Sequence, residues 1–136
     1  MKFKKFTKSQ RSTFEYWFYH WLAFNYTAIK LRHWRIKYLF HDIEKPFLRI
    51  LFKKNYSKVQ KWHRQHNRHH IEYIHPEKRN WIDMVIDWEC SHLTKIACPN
   101  NAIEEIEHKY NIGEITLDEK RKLLSACDSI IFGKSL

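Results

Sequence analysis

Two glycines and three prolines are all that interrupt 136 residues. An all-β chain needs turn residues about every 8–12 positions, so this scarcity points to helices joined by few tight turns. Hydrophobic residues make up 43% of the chain and aromatic ones 16%. That is enough for one core in a chain of single-domain length, and too much for a disordered one. No apolar run approaches the ~18 residues of a membrane span. The basic start, Met1 to Phe6, is not followed by the apolar stretch of a secretory leader. The expectation is a cytoplasmic protein that makes no use of a membrane. Cys90, Cys98 and Cys127 are odd in number and form no C-x-x-C pair. They read as buried or half-buried thiols rather than a disulfide framework or a Cys-rich zinc site.

The spacing predicts an all-α fold of about six helices, with residues 1–11 as a loosely ordered basic arm and 12–136 as one domain. A first helix runs from about Ser12 to Leu31, opened by Ser12 with Glu15 three residues on, and carries His20 mid-helix. A short helix over 34–41 ends at His41-Asp42. Pro46 opens another helix, with Phe47, Leu48, Ile50, Leu51 and Phe52 as its apolar face. Ser57-x-x-Gln60 starts a fourth that carries Trp62, His63, His66 and His70, and positions i, i+3 and i+7 share one helical face. Beyond the break at His75-Pro76, residues 78–95 form a strong helix with Asp83 and Asp87 one turn apart. A short helix from Asn100 to Tyr110 closes near Gly113. Thr116-x-x-Glu119 opens the last, through Leu123, Leu124, Cys127 and Ile131, with Gly133 just past its end. The Trp and Tyr residues at helical spacing read as core.

Histidine and aspartate recur along this helical pattern in an ordered series. His20 precedes His41-Asp42 by 21 positions; His63, His66, His69 and His70 follow, then Asp83 and Asp87. Two consecutive side chains at a helix end can converge on one ion. Imidazole and carboxylate suit Zn²⁺, Mn²⁺, Fe or Ni²⁺, with carboxylate favouring harder ions such as Mg²⁺. Such a site lowers the pKa of bound water and polarises a phosphoryl oxygen. Asp83 reads as an exposed carboxylate or an orienting partner of a ligand histidine. His33, beside Arg32 and Arg35, lies off the motif and reads as surface or structural, and His75, His92 and His108 have no partner pattern.

The order His20, His41-Asp42, Asp87 resembles the H…HD…D signature of the HD-domain metal-dependent phosphohydrolase superfamily. His41-Asp42-Ile43-Glu44-Lys45-Pro46 is similar to its HD-x-G-K-P run, with Glu44 where Gly is usual. The block from His63 to Tyr73 and the run Met84-Val85-Ile86-Asp87-Trp88 bring the likeness nearest to a group of small HD-like proteins of bacteria and phages. It covers about residues 15–95. The resemblance implies an HD-like helical bundle with His20, His41, Asp42 and Asp87 around one divalent metal. The histidine block would offer a second ion His66 and His70, then His63 and His69. Asp42 and Lys45 would be catalytic, with Lys45, Arg64 and Arg68 on substrate phosphate. The activity implied is hydrolysis of a nucleotide or other small phosphate ester, with metal-bound water as the nucleophile.

Charge leaves an alternative open. The chain carries a net +10, but residues 1–80 hold 19 Lys and Arg against 5 Asp and Glu, a net +14, and the remainder is net −4. Such a field attracts nucleotides, nucleic acid or phosphorylated metabolites. The second reading is a basic nucleic-acid-binding or phage accessory protein with a structural or vestigial metal site. A third is a degenerate HD fold serving as an interaction module. The bland reading of the same charge is a solvated basic surface.

Overall fold

A computed structural model describes residues 3–52 and 55–132. Six α-helices carry the fold: α1 (Phe14–Lys30), α2 (Glu44–Leu51), α3 (Tyr56–His66), α4 (Trp81–Thr94), α5 (Ala102–Asn111) and α6 (Leu117–Cys127). Short 3₁₀ turns at Lys8–Ser12, Ile36–Phe40 and Pro76–Lys78 link them, and a π turn at Asp128–Phe132 follows α6. Among the described residues there is no strand beyond an isolated bridge between Phe6 and Lys95, and no helix is long and apolar enough to cross a membrane. Gly133 lies outside the described residues.

Five of the six described helices start at a side-chain cap; α2 has none, and α3 is capped by Asn55 rather than opened by Ser57. Thr13, not Ser12, caps α1 by accepting from the Tyr16 amide, and Glu15 pairs with Lys4 instead of closing a capping box. Asn80 caps α4 through the Asp83 amide. Thr116 and Glu119 form the full reciprocal box at α6. The end of α5 follows the expectation closely. Gly113 takes φ +80°, and the Gly113 and Glu114 amides bond back to Tyr110 and Lys109, the left-handed cap that glycine favours.

Tyr16, His20, Ala23, Phe24, Thr27 and Ala28 form the buried stripe of α1, which packs chiefly on α4. Met84, Val85, Ile86, Ile106, Leu123 and Ile130 complete that core. The acidic final third therefore packs on α4 of the same chain, tied to the rest by Arg79–Glu119 at 2.7 Å. Helices α2 and α3 pair beside α1 with their own small interior, Leu48 and Val59. The arm is docked rather than loose. Phe6 is buried, its amide bonds to Thr94 O at 2.8 Å and its carbonyl accepts from Ile96 at 3.1 Å. An aromatic ring seated against Tyr16 and Tyr19 outweighs the solubility of the surrounding lysines.

The expected apolar face of α2 turns outward. Only Leu48 is buried, while Phe47, Ile50 and Leu51 are each more than two-thirds exposed. The cause is the opposite edge of this two-turn helix, where Glu44 and Lys45 bond to groups in the interior and fix its rotation. All three cysteines are free; Cys90 and Cys127 are buried and Cys98 is half-buried. Burial pushes the Cys127 thiol up to about 12.

Candidate metal centre

The His41-Asp42 pair sits where the 3₁₀ turn Ile36–Phe40 ends and α2 has not begun. His41 is extended and Asp42 is left-handed, with φ +55°. Aspartate tolerates that region better than most residues, and the reversal lets two adjacent side chains aim at one place. Helix α1 clips this segment down with a ladder of donors one turn apart. Trp17 Nε1 donates to Asp42 O at 2.8 Å, Trp21 Nε1 to Leu39 O at 2.9 Å and Asn25 Nδ2 to Tyr38 O at 3.0 Å. From α4, Asp83 accepts from the Tyr38 hydroxyl at 2.5 Å and pairs with Lys37 at 3.1 Å. Asp83 is thus neither an exposed carboxylate nor a partner of a ligand histidine; it anchors the turn that carries the pair. The His41 ring lies flat on Phe24, centroids 3.7 Å apart.

Two sets of side chains meet around Asp42. In the first, His20 Nε2 lies 3.1 Å from His41 Nε2 and 3.0 Å from Asp87 Oδ1, and Asp42 Oδ2 is 3.4 Å from both imidazoles. In the second, His63 Nε2 and His69 Nε2 each lie 3.0 Å from Asp42 Oδ1, with His70 beside them. The carboxylate of Asp42, 2% exposed, thus presents one oxygen to each set. Cis ligands about 2.1 Å from an octahedral ion stand ~3.0 Å apart, and those of a tetrahedral ion ~3.4 Å. The separations here have that size.

Unmet polar atoms mark the same spot. Asp42 Oδ1, Asp87 Oδ1 and the Nε2 atoms of His63, His69 and His70 are buried and make no hydrogen bond of good geometry among the described residues. Leaving such an atom unpaired costs about 1–3 kcal/mol, and native interiors rarely leave several together. Asp42 and the three imidazoles belong to the second set and Asp87 to the first, and their N and O donors suit divalent ions of the Zn, Mn or Fe type.

The protonation balance of the cluster follows from burial and neighbours. Burial raises the carboxyl pKa of Asp42, but His41, His63 and Lys45 outweigh it and hold it well below the usual range. Burial is likewise overcome at Asp87 by His20 and His41. Burial opposes charge on His20, yet Tyr16, Asp42 and Asp87 lift its pKa well above the ordinary value. Burial also opposes charge on His69, but Asp42 lifts it. Burial dominates at His41, and at His70 it is reinforced by His69 and His63, so both are lowered.

Glu44 does what the sequence does not announce. Its Oε1 bonds to His63 Nδ1 and accepts from Asn67 Nδ2 at 2.7 Å. A carboxylate on the far nitrogen of an imidazole fixes its tautomer and turns Nε2 inward. The HD-x-G-K-P comparison hides this, because Glu44 appears there only as a missing glycine.

The expected sites divide. His20, His41, Asp42, Asp87 and His70 are brought together. His63 and His69 join them as second choices. His66 does not: it is exposed, stacked on Trp62 and bonded through Nδ1 to Trp62 O. The i, i+3, i+7 argument assumes a continuous helix, but α3 ends at His66 and Asn67 is extended, so the chain folds back and delivers His69 and His70 from a turn. Lys45 Nζ stands 3.2 Å from Asp42 Oδ2, and Asp42 raises its pKa against the opposing effect of burial. Arg64 lines the cavity over the cluster. Arg68 is turned away, donating to Lys78 O at 2.6 Å.

That cavity, about 160 Å³, has His20, Asp42, His70 and Asp87 in its wall, and Lys8, Arg11, Lys45, Arg64 and Lys95 around it. Lys8, Arg11 and Lys95 carry no motif; only the fold brings them here, through the docked arm and the end of α4. No protein-family model matches the chain, and no curated protein or solved structure matches it.

Proposed function

We propose that the chain is a metal-dependent hydrolase of small phosphate esters, nucleotides among them, working with two divalent cations at the His/Asp cluster. This is the activity implied by its resemblance to HD-domain phosphohydrolases. The observation that carries it is Asp42, whose two oxygens face two separate sets of imidazoles beneath a cavity ringed by cations. Divalent ions held there would supply an activated water and a Lewis acid for the phosphoryl oxygens.

The chain's own groups do the rest. His20, His41 and Asp87 would hold one ion, and His63, His69 and His70 the other. Glu44 keeps His63 aimed. Lys45, tethered to Asp42 Oδ2, is placed to take a phosphoryl oxygen as negative charge builds on it. Lys8, Arg11, Arg64 and Lys95 attract and orient the dianion, and the low-dielectric wall strengthens each contact. A concave, enclosed ring of cations suits a small phosphate ester better than a duplex, which would need them spread over an open face.

The test is hydrolysis of a panel of phosphomonoesters by protein purified without a His-tag and loaded with Mn²⁺, Fe²⁺, Zn²⁺ or Mg²⁺. The expected result is metal-dependent release of phosphate that Asp42→Asn abolishes. If no ester is cleaved, while DNA binding falls steeply with salt and survives Asp42→Asn, the nucleic-acid reading takes its place.

A further inference from the structure

A second chamber, about 400 Å³, adjoins the first and shares with it Arg11, Tyr16, His20, Lys45 and Tyr56. Beyond that shared wall its surface is mainly Phe14, Trp17, Pro46, Ile50 and Val59, and Arg49 is the one charged side chain it adds among the described residues. Two of its polar groups are already engaged. Thr13 Oγ1 accepts from the Tyr16 amide and donates to Gln10 O, and Trp17 Nε1 is used on Asp42 O. A sugar or polyol seated against Phe14, Pro46, Ile50 and Val59 would lose its water and gain no hydrogen bond from them in return. An apolar group would cover Phe14 and Ile50, which are 58% and 79% exposed.

We infer that this chamber seats the alcohol part of the substrate, and that the preferred substrates are phosphomonoesters of a flat or apolar alcohol rather than of a polyol. The inference rests on the phosphohydrolase reading for its catalysis but on the chamber alone for its selectivity. Lys45 and Arg11 stand on the wall between the two cavities, so the phosphate stays over the cluster while the apolar group points between the start of α1 and helix α2.

The experiment compares kcat/KM of the metal-loaded protein for glycerol phosphate and phosphoserine with that for phenyl, 1-naphthyl and butyl phosphate and for nucleoside monophosphates. Binding of methyl-, butyl- and phenylphosphonate is measured in parallel by calorimetry. Ile50→Asn and Phe14→Ser alter only exposed side chains. Each is expected to lower kcat/KM for the apolar esters on the order of tenfold, the scale at which hydrophobic pockets discriminate, and to leave the polar esters within about twofold. The phenyl and naphthyl arms against the butyl arm separate a stacking site from an aliphatic one. Polar and apolar esters cleaved equally well, with no effect of either variant, would overturn the inference and leave the hydrolase reading intact. No cleavage of any ester, but phenyl- or butylphosphonate bound more tightly than methylphosphonate and weakened by Ile50→Asn, would overturn the hydrolase reading and uphold the chamber.

Discussion

Asp42 is the residue on which the site turns, and its backbone explains why it can be. A left-handed aspartate between an extended histidine and the first turn of α2 lets adjacent side chains converge. The sequence shows the pair and its distant partners, because ligand identity and order survive in a linear pattern. It does not show Glu44 as an orienting group, since that role depends on where His63 Nδ1 ends up. Glu44→Ala should therefore weaken the ion held by His63, His69 and His70 by about 10–100-fold and spare the one at His20, which stepwise metal titration resolves. Protons compete with metal at the same atoms. His20 and His69 have raised pKa values in the metal-free protein, so metal uptake must displace protons from them. Affinity should rise with pH as these imidazoles lose their protons, above the range of an ordinary histidine, with protons released on binding in a weakly buffered solution. The carboxylates act on the acid side. Asp42 and Asp87 are depressed in the folded state, so the stability they contribute is present above about pH 4 and is lost as pH falls through their folded values. An acid-unfolding midpoint unmoved by Asp87→Asn would contradict that.

At the level of elements, the 3₁₀ turn Ile36–Phe40 is held by side chains rather than by its own length. Trp17, Trp21 and Asn25 grip it from α1 and Asp83 grips Tyr38 from α4. Tyr38→Phe removes a buried hydrogen bond to a carboxylate and should cost about 2 kcal/mol. It should also lower metal affinity at His41, which a purely local defect would leave alone; denaturant unfolding with and without metal checks both. Long helices were legible from apolar spacing and caps, as α4, α5 and α6 show. The end of α3 was not. Nothing in Trp62-His63-Arg64-Gln65-His66 forbids another turn; the helix stops where Glu44 captures Asn67, a contact from another helix. The rotation of α2 escaped for the same reason. A hydrophobic edge predicts burial only when no buried ion pair fixes the opposite edge.

Over the whole molecule, charge asymmetry read from the sequence becomes shape. The basic part supplies Lys8, Arg11, Lys45 and Arg64 to one cavity, α4 adds Lys95 at its end, and α5 and α6, from the net-acidic remainder, pack on α4. The surplus of cations was visible in the composition; their convergence needed Phe6 to dock the arm beside Lys95. Lys95→Ala should raise KM for phosphate esters on the order of tenfold, with kcat changed less, and KM of the wild type should climb with added salt as the ring is screened. Metal stoichiometry decides whether Asp42 joins two cation sites. Elemental analysis of tag-free, reconstituted protein should find two divalent ions per chain, and tight binding of both should be lost in Asp42→Asn, a near-isosteric change that tolerates the same backbone. Protein that retains no metal, or an Asp42→Asn variant that keeps its full complement, would contradict it.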